Sequence, residues 1–259
     1  MKIRLVRHAT LVVQLDSRTL LIDPMLGPVG EFHSFQPSPN NQRNPLVPLP
    51  DPDLSSVLSS VDTCFVTHTH YDHFDQAVIN ALRKDLPIFC QPEDEEKLRT
   101  TFGFSSVQPV EENLQSDGIE VFRTGGQHGP GNRDGLEGPE HFMGPVSGFV
   151  LRSRSEPSLY IAGDTIWCQE VEEALDRHQP EVVVVNAGAA QLTGGVPITM
   201  TREDVAEVCR HLPNATVVAV HMEAINHCQL TRKALEDFVK SEELSDRVHI
   251  PADGEDIEF

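Results

Sequence analysis

Seven residues, Thr67-His68-Thr69-His70-Tyr71-Asp72-His73, constrain this chain more than any other stretch. Three imidazoles and a carboxylate fall between positions 68 and 73, directly after Val61-Asp62-Thr63-Cys64-Phe65-Val66, an apolar run that predicts a buried strand. A hydrophobic core has no use for such a density of titratable groups, whereas a divalent cation does. Neutral imidazole nitrogen and carboxylate oxygen suit borderline metals such as zinc. Alternate residues leaving a strand share one side, so His68 and His70 can grip one ion together. Asp72 and His73 follow a turn of the chain and are expected to face a second ion. The competing reading is a solvated, histidine-rich loop.

Three more candidates follow predicted strands of the second half: His128 in Gly125-Gly126-Gln127-His128-Gly129, Asp164 in Ile161-Ala162-Gly163-Asp164-Thr165, and His221 in Val217-Val218-Ala219-Val220-His221. With His68-x-His70-x-Asp72-His73, this order resembles the signature of the metallo-β-lactamase fold hydrolases. The resemblance runs from Val6-Arg7-His8-Ala9-Thr10 and Leu20-Leu21-Ile22-Asp23-Pro24 to His221, nearly the whole chain. It is nearest to the branch of ascorbate-phosphate lactonases and N-acyl phosphatidylethanolamine phospholipases D, which share the His-Ala-Thr and Ile-Asp-Pro pieces.

The resemblance implies an α/β fold, a four-layer αββα sandwich with metals at one edge of paired sheets. It implies one hydrolase domain over residues 1–259, built of two α/β halves at approximately 1–115 and 116–259. By position it assigns His68, His70 and His128 to a first metal, Asp72, His73 and His221 to a second, and Asp164 to both. The implied cofactors are two divalent ions, zinc by default, with Mn2+ and Fe2+ as alternatives. Two cations lower the pKa of a shared water, so hydroxide is available near neutral pH without a Ser or Cys nucleophile. The implied reaction is cleavage of an ester bond in a small molecule: a lactone, a carboxyl ester or a phosphodiester. Asp72 is also a candidate proton acceptor. A mononuclear iron oxygenase of the same fold would lose a second-site ligand, and all three of Asp72, His73 and His221 are present. A non-catalytic metal-binding regulator is the third reading. The fold hosts many chemistries, so it does not specify the substrate.

Each remaining candidate carries two readings. His128 is otherwise a loop residue, although flanking glycines allow close backbone approach to an ion. Asp164 could cap a helix beginning near Ile166. His227 could contact substrate, donate a proton to the leaving group, or serve as a structural hydrogen bonder. Asp23 could orient a metal-bound imidazole or form a turn. His8 reads as structural with access to the active site, and His33 and His141 as surface residues, His141 with a substrate contact as alternative. Arg133 is the single candidate anion contact, against an ordinary surface arginine.

Asp and Glu outnumber Lys and Arg by 40 to 20, for a formal net charge of −20. Such a surface repels nucleic acid and anionic membrane at long range, which counts against a nuclease. Five widely spaced cysteines without a C-x-x-C pair fit reduced thiols of a cytoplasmic protein. No defensible targeting signal or membrane anchor is visible, since charges interrupt every apolar run near Met1. Assembly into a homo-oligomer is left open.

Residues 2–6, 11–15 and 19–23 predict antiparallel strands. The segment from Gly27 to Pro52, rich in Pro and Asn but carrying Phe32 and Phe35, predicts a substrate-covering loop. Helices are expected from Phe74 to Leu82, from Pro92, and at about 168–178, 201–211 and 231–243. Thr201 with Asp204 resembles a capping box.

Overall fold

The computed structural model describes residues 1–36, 38, 40–51, 54–129, 143–192 and 195–259. Strands β1 (Lys2–Arg7), β2 (Thr10–Leu15) and β3 (Arg18–Ile22) form an antiparallel meander. Strands β4 (Thr63–Val66), β5 (Ile88–Cys90) and β6 (Val107–Pro109) extend it in parallel. In a second sheet β7 (Asn113–Ser116), β8 (Ile119–Thr124), β9 (Gly148–Arg152) and β10 (Leu159–Ile161) are antiparallel neighbours. There β11 (Val182–Asn186), β12 (Thr216–Val220) and β13 (Val248–His249) continue in parallel. The last strand, β14 (Asp256–Glu258), crosses back to pair with β1. Among the described residues each sheet has seven strands, ordered β14-β1-β2-β3-β4-β5-β6 and β13-β12-β11-β10-β9-β8-β7.

Side-chain alternation explains the layers. Val182 and Val184 of β11 face a core shared by both sheets, while Val183 and Val185 face the opposite way. Val218 and Val220 of β12 divide from Val217 and Ala219 in the same manner. In β4, Phe65 enters the shared core, and Cys64 and Val66 point outward. Parallel strands that are apolar on both faces need cover on both sides. Helices supply it. α1 (Ser55–Ser60) and α2 (Gln76–Ala81) lie over the first sheet, with Val78 buried there. α3 (Gln169–His178), α4 (Arg202–His211) and α5 (Arg232–Ser241) bury Val171, Leu175, Val205, Val208, Leu235 and Val239 against the second. This is the αββα sandwich of the metallo-β-lactamase fold. No helix among the described residues is long and apolar enough to cross a membrane.

Local chemistry sets the helix boundaries. Thr201 and Asp204 form a reciprocal capping box, each side chain accepting the other's backbone N–H, as expected. The helix expected from Phe74 starts later, at Gln76, because the Asp75 carboxylate accepts the Val78 N–H and caps it there. The helix expected from Pro92 is a 3-10 turn over Pro92–Asp94 followed by a π-helical segment over Lys97–Thr101. α1 and the short strands β6, β7, β13 and β14 were not anticipated; their runs are too short or too polar to show a period.

The long Pro/Asn-rich segment is tied down at its base and its middle. Arg7 is fully buried, and its guanidinium donates to the carbonyls of Met25, Gly27 and Val47. Phe32 and Asn44 form an isolated antiparallel bridge. These contacts use backbone carbonyls that a buried loop must otherwise leave unsatisfied.

Candidate metal centre

Strand direction gathers the candidate residues at one edge. β3, β4, β10, β11 and β12 all end there, so the residues that follow them converge: Asp23, His68 to His73, Asp164 and His221, with Asn186 closing β11. Antiparallel pairing brings the β1–β2 turn at His8 and the end of β8, ahead of His128, to the same side. Carboxyl ends of parallel strands are where α/β folds place their ligands.

The cluster is buried and tight. His68 Nε2 lies 2.9 Å from His70 Nδ1, and His73 Nε2 lies 3.3 Å from His221 Nε2. Asp164 Oδ2 sits 3.2 Å from His73 Nε2, 3.5 Å from His128 Nε2 and 3.9 Å from His68 Nε2. Asp164 Oδ1 is 3.3 Å from His221 Nε2 and accepts a 2.7 Å hydrogen bond from Asn186 Nδ2. Asp72 Oδ2 lies 3.6 Å from His221 Nε2, 3.9 Å from His73 Nε2 and 3.3 Å from His8 Nε2. Donor atoms of His68, His70 and His128 form one group that could hold an ion, those of His68, His73 and Asp164 a second, and those of His8, Asp72, His73 and His221 a third.

Outer hydrogen bonds fix which nitrogen faces inward. His73 Nδ1 donates to Asp23 Oδ2 at 2.9 Å. Thr67 Oγ1 donates to the same oxygen at 2.7 Å and in turn accepts from His68 Nδ1 at 3.1 Å. The Thr67 N–H donates to Asp23 Oδ1. His128 Nδ1 donates to the Ile198 carbonyl at 2.8 Å. In their neutral forms His68, His73 and His128 therefore all aim Nε2 lone pairs at the Asp164 carboxylate. Lone pairs facing a carboxylate repel unless positive charge lies between them. The donor set thus fits a divalent cation held through imidazole nitrogen and carboxylate oxygen.

Electrostatics says the same. Burial alone would lower His73, but Asp164, Asp72 and Asp23 outweigh it and push this imidazole up to about 10. His221 is also raised well above its ordinary value, against the effect of burial, chiefly by Asp164. Burial raises Asp72 and Asp164, yet the facing imidazoles hold both well below the usual carboxylate range, His73 foremost for Asp72 and His221 for Asp164. Burial lowers His68, His128 and His8, and brings His70 down to about 4. The raised imidazoles and depressed carboxylates have one cause, buried negative charge facing imidazole, and a cation would supply the positive charge that this arrangement calls for.

Several expectations resolve differently. Asp164 is no helix cap: α3 begins at Gln169 with Cys168 at its N-cap, and the carboxylate is held by Asn186 instead. The glycines before His128 make room for neighbours rather than for an ion. A side chain at Gly126 would meet Thr165 at 3.0 Å, and one at Gly125 would meet Glu170 at 3.1 Å. Cys228 approaches His221 Nδ1 at 3.6 Å. All five cysteines are free. His33 is exposed, within 2.9 Å of an Arg43 nitrogen and outside the cluster. Arg133 and His141 lie outside the described residues. His227 is buried beside the cluster with Phe35 edge-on at 4.9 Å. Sequence reasoning missed Asn186 and Asn226, and placed His8 as structural with access to the active site. Asp23 proves to orient two imidazoles, His73 directly and His68 through Thr67. Asp23→Asn is expected to weaken metal retention roughly 10–100-fold, measured by competition with a chelator. Unchanged retention would leave Asp23 as a turn former only.

Fold and cluster together define a metal-dependent hydrolase. A family model, the beta-lactamase superfamily domain, matches residues 18–222. Over 260 aligned residues covering 100% of both chains, the protein is 38% identical to the UPF0173 protein YddR of Bacillus subtilis. A possible metal-dependent hydrolase from Veillonella parvula superposes with a TM-score of 0.95 at 36% identity, over 99% of this chain and 98% of that one. An isothiocyanate hydrolase from Delia radicum gut bacteria superposes with a TM-score of 0.94 at 39% identity, over 100% and 99%. The chain belongs to the UPF0173 family of metal-dependent hydrolases within the β-lactamase superfamily.

Proposed function

We propose that this hydrolase works with two divalent cations, zinc by default, and cleaves a small, uncharged, apolar electrophile. The observation that carries this reading is the convergence of three oriented Nε2 lone pairs on the Asp164 carboxylate. His68, His70 and His128 would hold one cation, Asp72, His73 and His221 the other, and Asp164 both. Bound there, two cations would acidify a shared water and polarise the atom that takes up developing charge.

The chain's own residues supply the rest. Against the effect of burial, Asp72 is held ionised by the facing imidazoles, His73 foremost, which suits it as a cation ligand and weakens it as the proton acceptor that the resemblance implies. Burial lowers His227 to about 4, so its imidazole is neutral and offers one ring N–H as a hydrogen-bond donor to an atom that takes up negative charge. Its Nδ1 is buried with no partner among the described residues. Phe35 packs against it, Phe32 lies 5.9 Å from Phe35, and Tyr71, 64% exposed, stacks on Phe32 at 6.0 Å. This aromatic wall beside the cluster suits an apolar group and disfavours a phosphodiester.

Two substrate classes fit. The ester class follows from the resemblance to lactonases and phospholipases, of which lactones and carboxyl esters match the apolar wall. An isothiocyanate matches it as well and has the stronger support, the full-length 39% likeness to an isothiocyanate hydrolase. Water oxygen would bond to the central carbon, the carbon–nitrogen bond would break, and the products would be an amine and carbonyl sulfide. On a panel of isothiocyanates, lactones, carboxyl esters and phosphodiesters, apolar isothiocyanates should give a kcat/KM roughly 10-fold or more above the others. A preference for lactones would return the ester reading, and a preference for phosphodiesters would contradict the apolar site. His227→Ala should lower kcat about 10²-fold while metal content stays unchanged. Loss of a metal in that variant would mean that His227 is a ligand.

A further inference from the structure

We propose that His8 is a positioning residue for the second cation: its Nε2–H donates to Asp72 Oδ2 and fixes that carboxylate as a ligand. The proposal rests on the two-cation reading above. His8 occupies the turn between β1 and β2 with φ +63°, a left-handed conformation uncommon for residues other than glycine. An imidazole kept at a strained position is an observation from which a role can be inferred. The residue is fully buried, and its Nδ1 has no partner among the described residues. Among the described residues, the 3.3 Å contact of Nε2 with Asp72 Oδ2 is the side-chain hydrogen bond the ring makes.

Two further contacts tie His8 to the same site. Its carbonyl accepts the His221 N–H at 2.9 Å, and His221 is itself left-handed at φ +67°. The His8 and His221 ring centroids are 3.6 Å apart, closer than any ring pair among the assigned ligands, of which the nearest is His68–His73 at 4.2 Å. His73 and His221 lie with ring centroids 5.3 Å apart and planes 29° from parallel, so His221 is packed from two sides. The His8 ring, tilted 39° against His221, packs on that imidazole and brings Nε2 to the Asp72 carboxylate. His68, His73, His128 and His221 each bring a nitrogen within 3.9 Å of Asp164, whereas among the described residues the His8 ion-pair contact is with Asp72 alone, which makes His8 a hydrogen-bond donor to a ligand; a fourth donor atom beside Asp72, His73 and His221 is the alternative that the test separates. Carboxylates so held offer one oriented oxygen to the metal rather than a choice of rotamers.

The experiment measures zinc stoichiometry and affinity by native mass spectrometry under chelator competition, in the wild-type protein, His8→Phe and His8→Gln. His8→Phe keeps the stacking but removes the donor, and should weaken the second ion roughly 10–100-fold while the first is retained. His8→Gln restores an N–H donor and should recover most of that affinity. Wild-type binding in His8→Phe would overturn the proposal. So would a His8→Gln variant that melts like wild type yet binds as weakly as His8→Phe, since that outcome makes His8 a ligand. If His8→Phe fails to fold, nitrogen-15 NMR of histidine-labelled, zinc-loaded wild type decides: a proton on His8 Nε2 supports the donor role, and a bare, metal-shifted Nε2 overturns it. A wild-type protein that binds one ion removes the two-cation reading and this proposal together.

Discussion

Replacing Asp164 by Ala is expected to abolish hydrolysis, with a loss of roughly 10³-fold or more in kcat/KM, and to weaken retention of both cations. Its two oxygens face different partners: Oδ2 meets His68, His73 and His128, and Oδ1 meets His221. Removing a charge that serves both cations forfeits several kcal/mol of stabilisation at the reacting centre, which corresponds to that rate loss. The variant also leaves Asn186 Nδ2, the donor to Oδ1, buried without its partner. Asp164→Asn keeps the shape but not the charge, and should lose metal almost as readily. Metal analysis beside initial rates checks the expectation. A variant that loses one ion and keeps the other at wild-type affinity would show that Asp164 does not bridge.

The second large effect is expected at Asn226, where the long loop is fastened. Its side chain accepts the Phe35 N–H and an Asn44 amide hydrogen, and donates to the carbonyls of Phe35 and Asn40 and to the Ser38 hydroxyl. Its own N–H donates to Asn44 Oδ1, and its carbonyl accepts from Asn40 Nδ2. These bonds hold Phe35 against His227 and seat the loop beside Met25, Ala224 and Ile225. Asn226→Leu strips the side-chain bonds and leaves several buried groups unsatisfied, at about 1–3 kcal/mol each. Stability should fall by roughly 3 kcal/mol, about 6–12 °C in Tm for a chain of this size. Freed from its anchor, the loop should raise KM and broaden specificity while the metals stay bound, because no cluster residue is altered. Shortening the loop should act in the same direction. Unchanged kinetics in a variant that has lost stability would separate the loop from substrate selection.

What the sequence revealed of this site depends on how locally each signal is written. His68, His70, Asp72 and His73 sit within one run after one strand, so their density alone announced a cation. His128, Asp164 and His221 each follow an apolar strand, and strand ends that share a sheet edge converge. The layers were legible for a similar reason, since the Val-rich runs of β11 and β12 can only be buried on both faces. Asn226 carried no such signal, and His8, although it follows β1 and sits in the His-Ala-Thr piece, gave no sign of its partner. His8 acts on Asp72, 64 residues away, and Asn226 on Phe35, 191 residues away. Contacts of that separation arise from the fold and leave no period or motif. Asp164 was offered a cap role because a helix was expected near Ile166, and the extra turn of chain before Gln169 removed it. The edge pairing of β14 with β1 was hidden too, because three residues do not establish an alternation.

The central claim is that the buried His/Asp cluster holds two divalent cations. It is tested most directly by elemental analysis of protein purified without added chelator, followed by stepwise reloading of the stripped protein with zinc and measurement of hydrolysis at each step. The account predicts two ions per chain, with release of protons on binding and full activity only when both are present. One tightly bound iron per chain with oxygen-dependent turnover would contradict it.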